Sequence, residues 1–296
     1  MKIKSAQEVL TLIKDQDILS TTDMHEIRRN FTEFYLKFSS HEELEVETHI
    51  IDYLPAYSIS APGVNQNRVF LFFHGGGFTM GSTREHLDLC GKISRAAGMA
   101  VLSVDYRLAP EHVFPDPVED CIKSYLWLLE KGLEPANIII GGISAGGNLA
   151  LSTVLNLKAE GVDLPRGIVC MSPAVDLTFP GDSVIANQET DWVTPQRLEN
   201  IPKIYLKNHD PQEAIASPTY GDLKDLPPIF IQYGLNELLK DDIETFCEKL
   251  EAHEVQITCQ GWENMFHCWQ IFSSVLEEGQ QAIEETGQYI NQLFTP

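Results

Sequence analysis

The stretch Asn137-Ile-Ile-Ile-Gly-Gly-Ile-Ser-Ala-Gly-Gly-Asn148 leaves this chain few ways to fold. Its β-branched isoleucines predict a buried strand, and a helix-forming run from Asn148 to Glu160 follows at once. Between them, Gly142-Ile-Ser-Ala-Gly146 has to reverse the chain in a tight turn. A strand–turn–helix of this kind lifts one hydroxyl, that of Ser144, above the sheet edge at the positive end of a helix dipole. A serine held there can attack a carbonyl. The flanking glycines are needed because a Cβ at either position would strike the neighbouring strand or helix. Alone, the G-x-S-x-G pattern is a weak signal, and its surroundings decide its meaning.

Upstream, Arg68-Val-Phe-Leu-Phe-Phe73 reads as another buried strand and runs into His74-Gly-Gly-Gly-Phe78. Glycine-rich backbone after a strand can turn bare N–H groups into a cleft. Those of Gly76 and Gly77, joined by that of Ala145, form a predicted oxyanion hole for a tetrahedral intermediate. A phosphate-cradling loop is the alternative, but no G-K-[ST] follows either glycine-rich segment, and no G-x-G-x-x-G opens a helix after the first strand.

A general base and an acid are then expected later in the chain, with the acid first. His267 lies in a loop beyond the strand-like Val255–Cys259 and is the predicted base. The strand ending at Gly234 runs into Leu235-Asn-Glu-Leu-Leu-Lys-Asp-Asp242, which makes Glu237 the leading acid. Asp241 and Asp242, inside the next helix, rank behind it, and Asp176 competes from one strand earlier.

These segments, with several others, resemble the hormone-sensitive-lipase-like family of α/β-hydrolase esterases, known for its H-G-G-G motif. The matching residues are His74–Phe78, Val104-Asp-Tyr-Arg-Leu-Ala-Pro-Glu-His-Val-Phe-Pro115, Gly142–Gly147 and Ser172-Pro-Ala-Val-Asp-Leu177. Ser217-Pro218, Leu226-Pro-Pro-Ile229 and Met265-Phe-His267 complete the set. The resemblance runs from about Asn67 to the C-terminus in consistent order. It implies a carboxylic-ester hydrolase with a Ser–acid–His triad, a preference for short acyl groups, and the possibility of homodimers formed through an edge strand or the C-terminal helix. This sequence departs from the family pattern at two positions. Ile143 stands where many relatives carry an acid before the nucleophile, and the triad acid is Glu237 where many have Asp.

Composition sets the remaining bounds. The 296 residues, 43% of them hydrophobic, suffice for one large α/β core, and no apolar run approaches the ~18 residues of a membrane span. With 21 Lys and Arg against 43 Asp and Glu, the net charge of −22 repels nucleic acid and anionic membrane surfaces, and disfavours anionic substrates at long range. Six scattered cysteines without C-x-x-C spacing read as buried free thiols of a reducing compartment, and the N-terminus lacks the apolar core of a secretion signal, so a cytoplasmic location is expected. The predicted mechanism calls for no metal or organic cofactor.

Two candidate strands come first, Val46–Asp52 and Tyr57–Ile59, and from Val69 onward strands alternate with segments of helical length, which predicts a mostly parallel sheet covered on both faces in a single domain. Residues 1–44 read as helical, and 179–216 interrupt the alternation with a polar, helical insertion. The two are expected to cap the C-terminal edge of the sheet, where open α/β sheets bind ligands. Phe38, Phe78, Trp192 and Tyr205 are the predicted apolar lining, with Phe38 and Phe78 the substrate contacts. Arg107, Glu111 and His112 are expected to brace a loop through a buried ion-pair network, His74 to anchor the oxyanion loop, and His86 to lie on the surface or face the cap. The function predicted is hydrolysis of short-chain, neutral acyl esters. An amidase or aryl-formamidase would share the chemistry, and a non-catalytic receptor would share the fold.

Overall fold

Apolar residues in the strands of this protein point alternately to two hydrophobic layers, so one sheet is covered on both sides. The structure is a computed structural model and describes residues 5–16, 21, 23–40 and 43–295. Its strands are β1 (Glu45–Ile51), β2 (Leu54–Ser60), β3 (Asn65–Phe73), β4 (Met99–Val104), β5 (Ile138–Ile143), β6 (Gly167–Met171), β7 (Ile229–Gly234) and β8 (Ile257–Trp262). They form a sheet in the order β1-β2-β4-β3-β5-β6-β7-β8. β2 runs antiparallel to β1 and β4, and all pairings from β4 to β8 are parallel.

Nine helices pack around it: α1 (Ala6–Gln16), α2 (Met24–Tyr35), α3 (Thr83–Ala97), α4 (Asp116–Glu130), α5 (Ala145–Ala159), α6 (Ser183–Ala186), α7 (Pro195–Tyr205), α8 (Lys240–Ala252) and α9 (Glu277–Leu293), counted among the described residues. Leu71, Phe73, Ile138, Ile140, Ile168 and Ile231 face the layer of α4, α5 and α8. Phe70, Phe72, Ile139, Val169 and Phe230 face the layer of α1, α2, α3 and α9. Burial on both faces is why these strands read as continuous apolar runs. Each fully buried Phe of β3 contributes roughly 1.5–3 kcal/mol relative to exposure.

Helix starts follow their capping chemistry. Ser5 accepts a hydrogen bond from the Glu8 N–H at 3.3 Å, as the Ser-Ala-Gln-Glu pattern predicts, and Asp23 and Ser82 cap α2 and α3. The parts of the predicted N-terminal cap at residues 1–4, 17–20, 22 and 41–42 lie outside the described residues.

Three expectations are corrected. Cys247 and Cys259 form a disulfide between α8 and β8, so the six cysteines are not all free thiols. Cys90, Cys121, Cys170 and Cys268 are free and buried. The pair became visible only when α8 packed on β8, and the argument for a reducing compartment built on six free thiols loses its support. β8 begins at Ile257 because the Val255 N–H closes the end of α8 by donating to the Leu250 carbonyl at 3.1 Å. His86 is on α3 but 1% exposed, buried under the glycine-rich loop.

Candidate active site

Ser144, Gly75–Gly77, Glu237 and His267 follow β5, β3, β7 and β8, so the parallel register delivers them all to the same edge of the sheet. Ser144 has φ 56° and ψ −119°, a strained conformation for a side-chain-bearing residue that costs about 1–3 kcal/mol. The turn is pinned by the Ser144 N–H donating to the Met171 carbonyl at 2.8 Å and by Asn148 and Ala174 N–H groups donating to the Ser144 carbonyl. A Cβ on Gly142 would stand 2.4 Å from the Phe73 carbonyl oxygen, and one on Gly146 1.9 Å from it. The turn therefore closes only with glycine at both positions.

The Ser144 hydroxyl lies 2.8 Å from His267 Nε2. Glu237 is fully buried, and its Oε2 accepts from the Ser172 hydroxyl at 2.7 Å and the Gly234 N–H at 3.2 Å. The same oxygen is 3.6 Å from His267 Nδ1, an ion-pair distance beyond hydrogen-bond length, and Nδ1 makes no hydrogen bond among the described residues. Burial opposes charging the imidazole, but Cys268 and Glu237 outweigh it and lift its pKa well above 6.5. Burial pushes the Cys268 thiol up as well.

Asp241, Asp242 and Asp176 are engaged elsewhere. Asp241 accepts from the Ser183 N–H, Asp242 from the Gly181 N–H, and Asp176 from Thr178.

The glycine-rich loop turns through Gly76 at φ 126° and Gly77 at φ 60°, both left-handed. A Cβ on Gly76 would stand 2.0 Å from the Met80 carbonyl oxygen. Beneath the loop, His86 Nδ1–H donates to the Ser82 carbonyl at 2.9 Å, which leaves Nε2 to accept the Gly75 N–H at 3.3 Å. His74 stacks on Tyr106 at 4.1 Å, and the Tyr106 hydroxyl donates to the His74 carbonyl. Burial lowers the pKa of both imidazoles, that of His86 to about 4, so they stay neutral and shape the loop. Arg107 pairs with buried Asp120 at 2.8 Å, as expected of that run, whereas Glu111, on Arg28 at 2.6 Å, and His112, on Asp116 at 3.3 Å, are exposed and do not form the buried network expected.

One residue of the site escaped the sequence reading altogether. Asp191, 1% exposed, accepts from the His267 N–H at 3.1 Å and the Leu238 N–H at 2.9 Å. Its neighbour Trp192 donates Nε1–H to the His267 carbonyl at 2.8 Å. The 179–216 segment thereby holds both the loop that carries His267 and the loop that carries Glu237. No local motif marks Asp191. Ser172 stood in a matched motif, but nothing in the motif told of its bond to Glu237.

Above Ser144 lies a cavity of about 610 Å³, partly open to solvent. Phe31 and Tyr35 of α2 line it, with Trp192, Val193, Arg197, Leu198 and Ile201 of the 179–216 segment. Phe78, Ala145, Gly76, Gly77 and His267 also reach it. Phe38 does not line it, contrary to expectation: it packs on Phe34 and Phe272 at 5.1 Å each. Phe38 sits roughly 10 Å along the helix axis from Phe31, past the cavity, in a 3-10 turn (Leu36–Phe38) that changes the helical phase. Tyr205 is also not in the lining; it stacks behind Phe78 at 3.9 Å.

Residues 70–271 match the family described as the alpha/beta hydrolase fold. The chain is 36% identical over 230 residues to an acetyl-hydrolase of Streptomyces hygroscopicus, spanning 77% of each. It is 35% identical over 228 residues to an esterase of Acinetobacter venetianus, spanning 76% of this chain and 75% of the other. An esterase crystal structure from the bacterial hormone-sensitive lipase family superposes with a TM-score of 0.95 at 36% identity, covering 99% of this chain and 100% of that one. The chain belongs to the hormone-sensitive-lipase-like family of α/β-hydrolase esterases. It is a serine carboxylic ester hydrolase.

Proposed function

We propose that the protein hydrolyses short-chain acyl esters through an acyl-enzyme formed on Ser144, with His267 as base and Glu237 as its orienting acid. The observation that carries this reading is the 2.8 Å approach of the Ser144 hydroxyl to His267 Nε2 at the floor of the cavity. The Ser144 proton passes to Nε2 as Oγ attacks the ester carbonyl, and the N–H groups of Gly76, Gly77 and Ala145 donate to the oxyanion. Imidazolium then protonates the leaving alcohol, and the neutral ring activates the water that frees the acid. Glu237 holds the tautomer with the proton on Nδ1. Its 3.6 Å contact shortens as positive charge develops on the ring, since such contacts are loose before substrate binds.

Two features support short acyl groups. The cavity is confined by Phe31, Trp192 and Ile201 from the segments we read as a cap, and the first of the relatives above is named an acetyl-hydrolase. The test is a rate profile over p-nitrophenyl esters from acetate to decanoate with wild type and Ser144→Ala. Fastest turnover at two to six acyl carbons, abolished in the variant, is the expected result. A Ser144→Ala protein as fast as wild type would end the mechanism, and a maximum at decanoate would end the chain-length reading.

A further inference from the structure

The cavity holds one charge that ester hydrolysis as described does not use. Arg197 lines it together with Ser144 and Tyr35. A guanidinium has five N–H donors. Among the described residues, the hydrogen bond of Arg197 goes from Nη2 to the Met80 thioether at 3.6 Å, a weak acceptor. Other arginines at the edges of the site are matched: Arg28 reaches Glu111 at 2.6 Å and Arg107 reaches Asp120 at 2.8 Å. No carboxylate does this for Arg197 among the described residues. Burial lowers its pKa to about 10, with Tyr35 acting in the opposite sense, so the group is cationic at neutral pH.

A half-buried cation without a counter-ion is costly, and the fork of a guanidinium is shaped for a carboxylate. We propose that Arg197, which shares the cavity lining with Tyr35, is an anion subsite, and that the preferred substrates are esters carrying a carboxylate, such as half-esters of dicarboxylic acids. This rests on the ester-hydrolase reading above and narrows its substrate class. Much of the remaining lining is apolar, Phe31, Phe78, Trp192, Leu198 and Ile201 included, so a hydrocarbon spacer joins the carboxylate to the ester. The net charge of −22 favours neutral substrates at long range. That repulsion is screened over ~8 Å at physiological salt, whereas a pair formed inside the cavity is not.

The test uses matched esters that differ in one terminal group. Monoethyl glutarate against ethyl pentanoate places the charge on the acyl side, and 3-acetoxypropionate against propyl acetate places it on the alcohol side. The readout is the ratio of kcat/KM for the charged ester to that for the neutral one. We expect Arg197→Met to lower this ratio at least fivefold for one pair, mainly through KM, with Arg197→Lys between the two. A smaller change in both pairs overturns the subsite. Should Arg197→Met not fold, inhibition of wild type decides: pentanoate should compete at least fivefold more tightly than pentanamide, and equal inhibition overturns the proposal. A wild-type protein that cleaves none of these esters, nor p-nitrophenyl butyrate, defeats the ester reading itself. Cleavage with an unaltered ratio defeats the subsite alone.

Discussion

Asp191 Oδ1 lies 3.1 Å from the backbone nitrogen of His267, so a residue from the polar 179–216 insertion fixes the loop that carries the imidazole. The other oxygen takes the Leu238 N–H, one residue beyond Glu237. Asp191→Asn keeps one acceptor and turns an amide donor toward an N–H, leaving both unsatisfied in a buried site. We expect a loss of about 1–3 kcal/mol in stability. We also expect kcat to fall about tenfold or more with KM little changed, because the base is displaced and not the substrate. Thermal melts and steady-state kinetics on p-nitrophenyl butyrate check both, and an unchanged kcat would remove Asp191 from the positioning machinery.

Ser144 and His267 should act as a unit. Each alanine variant is expected to lower kcat about 10⁴-fold or more, and the double variant should be no worse than the poorer single one. Additive losses would mean that the 2.8 Å contact is not the route of the proton.

Gly76→Ala should damage turnover without touching the triad. Its Cβ would stand 2.0 Å from the Met80 carbonyl oxygen at a φ of 126°, so the loop must move and its N–H groups leave their aim. A kcat loss of about 10²-fold or more is expected, the scale of a lost oxyanion donor. Labelling by a serine-reactive phosphonate, which also develops charge in the hole, should slow in parallel.

The pH profile follows from His267. Only the neutral ring can take the Ser144 proton, and Cys268 and Glu237 together lift its pKa well above 6.5 against the pull of burial. Activity should therefore rise with pH through a midpoint above 6.5. In Glu237→Gln one of the two groups that oppose burial is lost, so the residual activity should rise at lower pH than in wild type. The stability carried by the charged pair has the same sign. It is full below the unfolded value of 6.5 and is lost as pH climbs through the folded one, which a series of melting temperatures will show.

What the chain revealed unaided was chemistry written locally. The glycines at 142 and 146 tell of a turn with no room for a Cβ, and the β-branched runs tell of strands buried twice over. The order Ser144, Glu237, His267, each just past a strand, follows because a parallel sheet sends every strand end to one edge. Tertiary packing alone decided the rest. Asp191 meets His267 across 76 residues, Ser172 meets Glu237 across 65, and Cys247 meets Cys259 only because α8 lies on β8. Phe31 and Tyr35, one turn apart on α2, line the cavity, whereas Phe38 in the 3-10 turn beyond them packs on Phe34 and Phe272. Charge counting spoke for the outer surface and not for the Arg197 guanidinium that lines the cavity. Contacts between distant segments carry no period and no motif, so they become readable only when the fold brings them within reach.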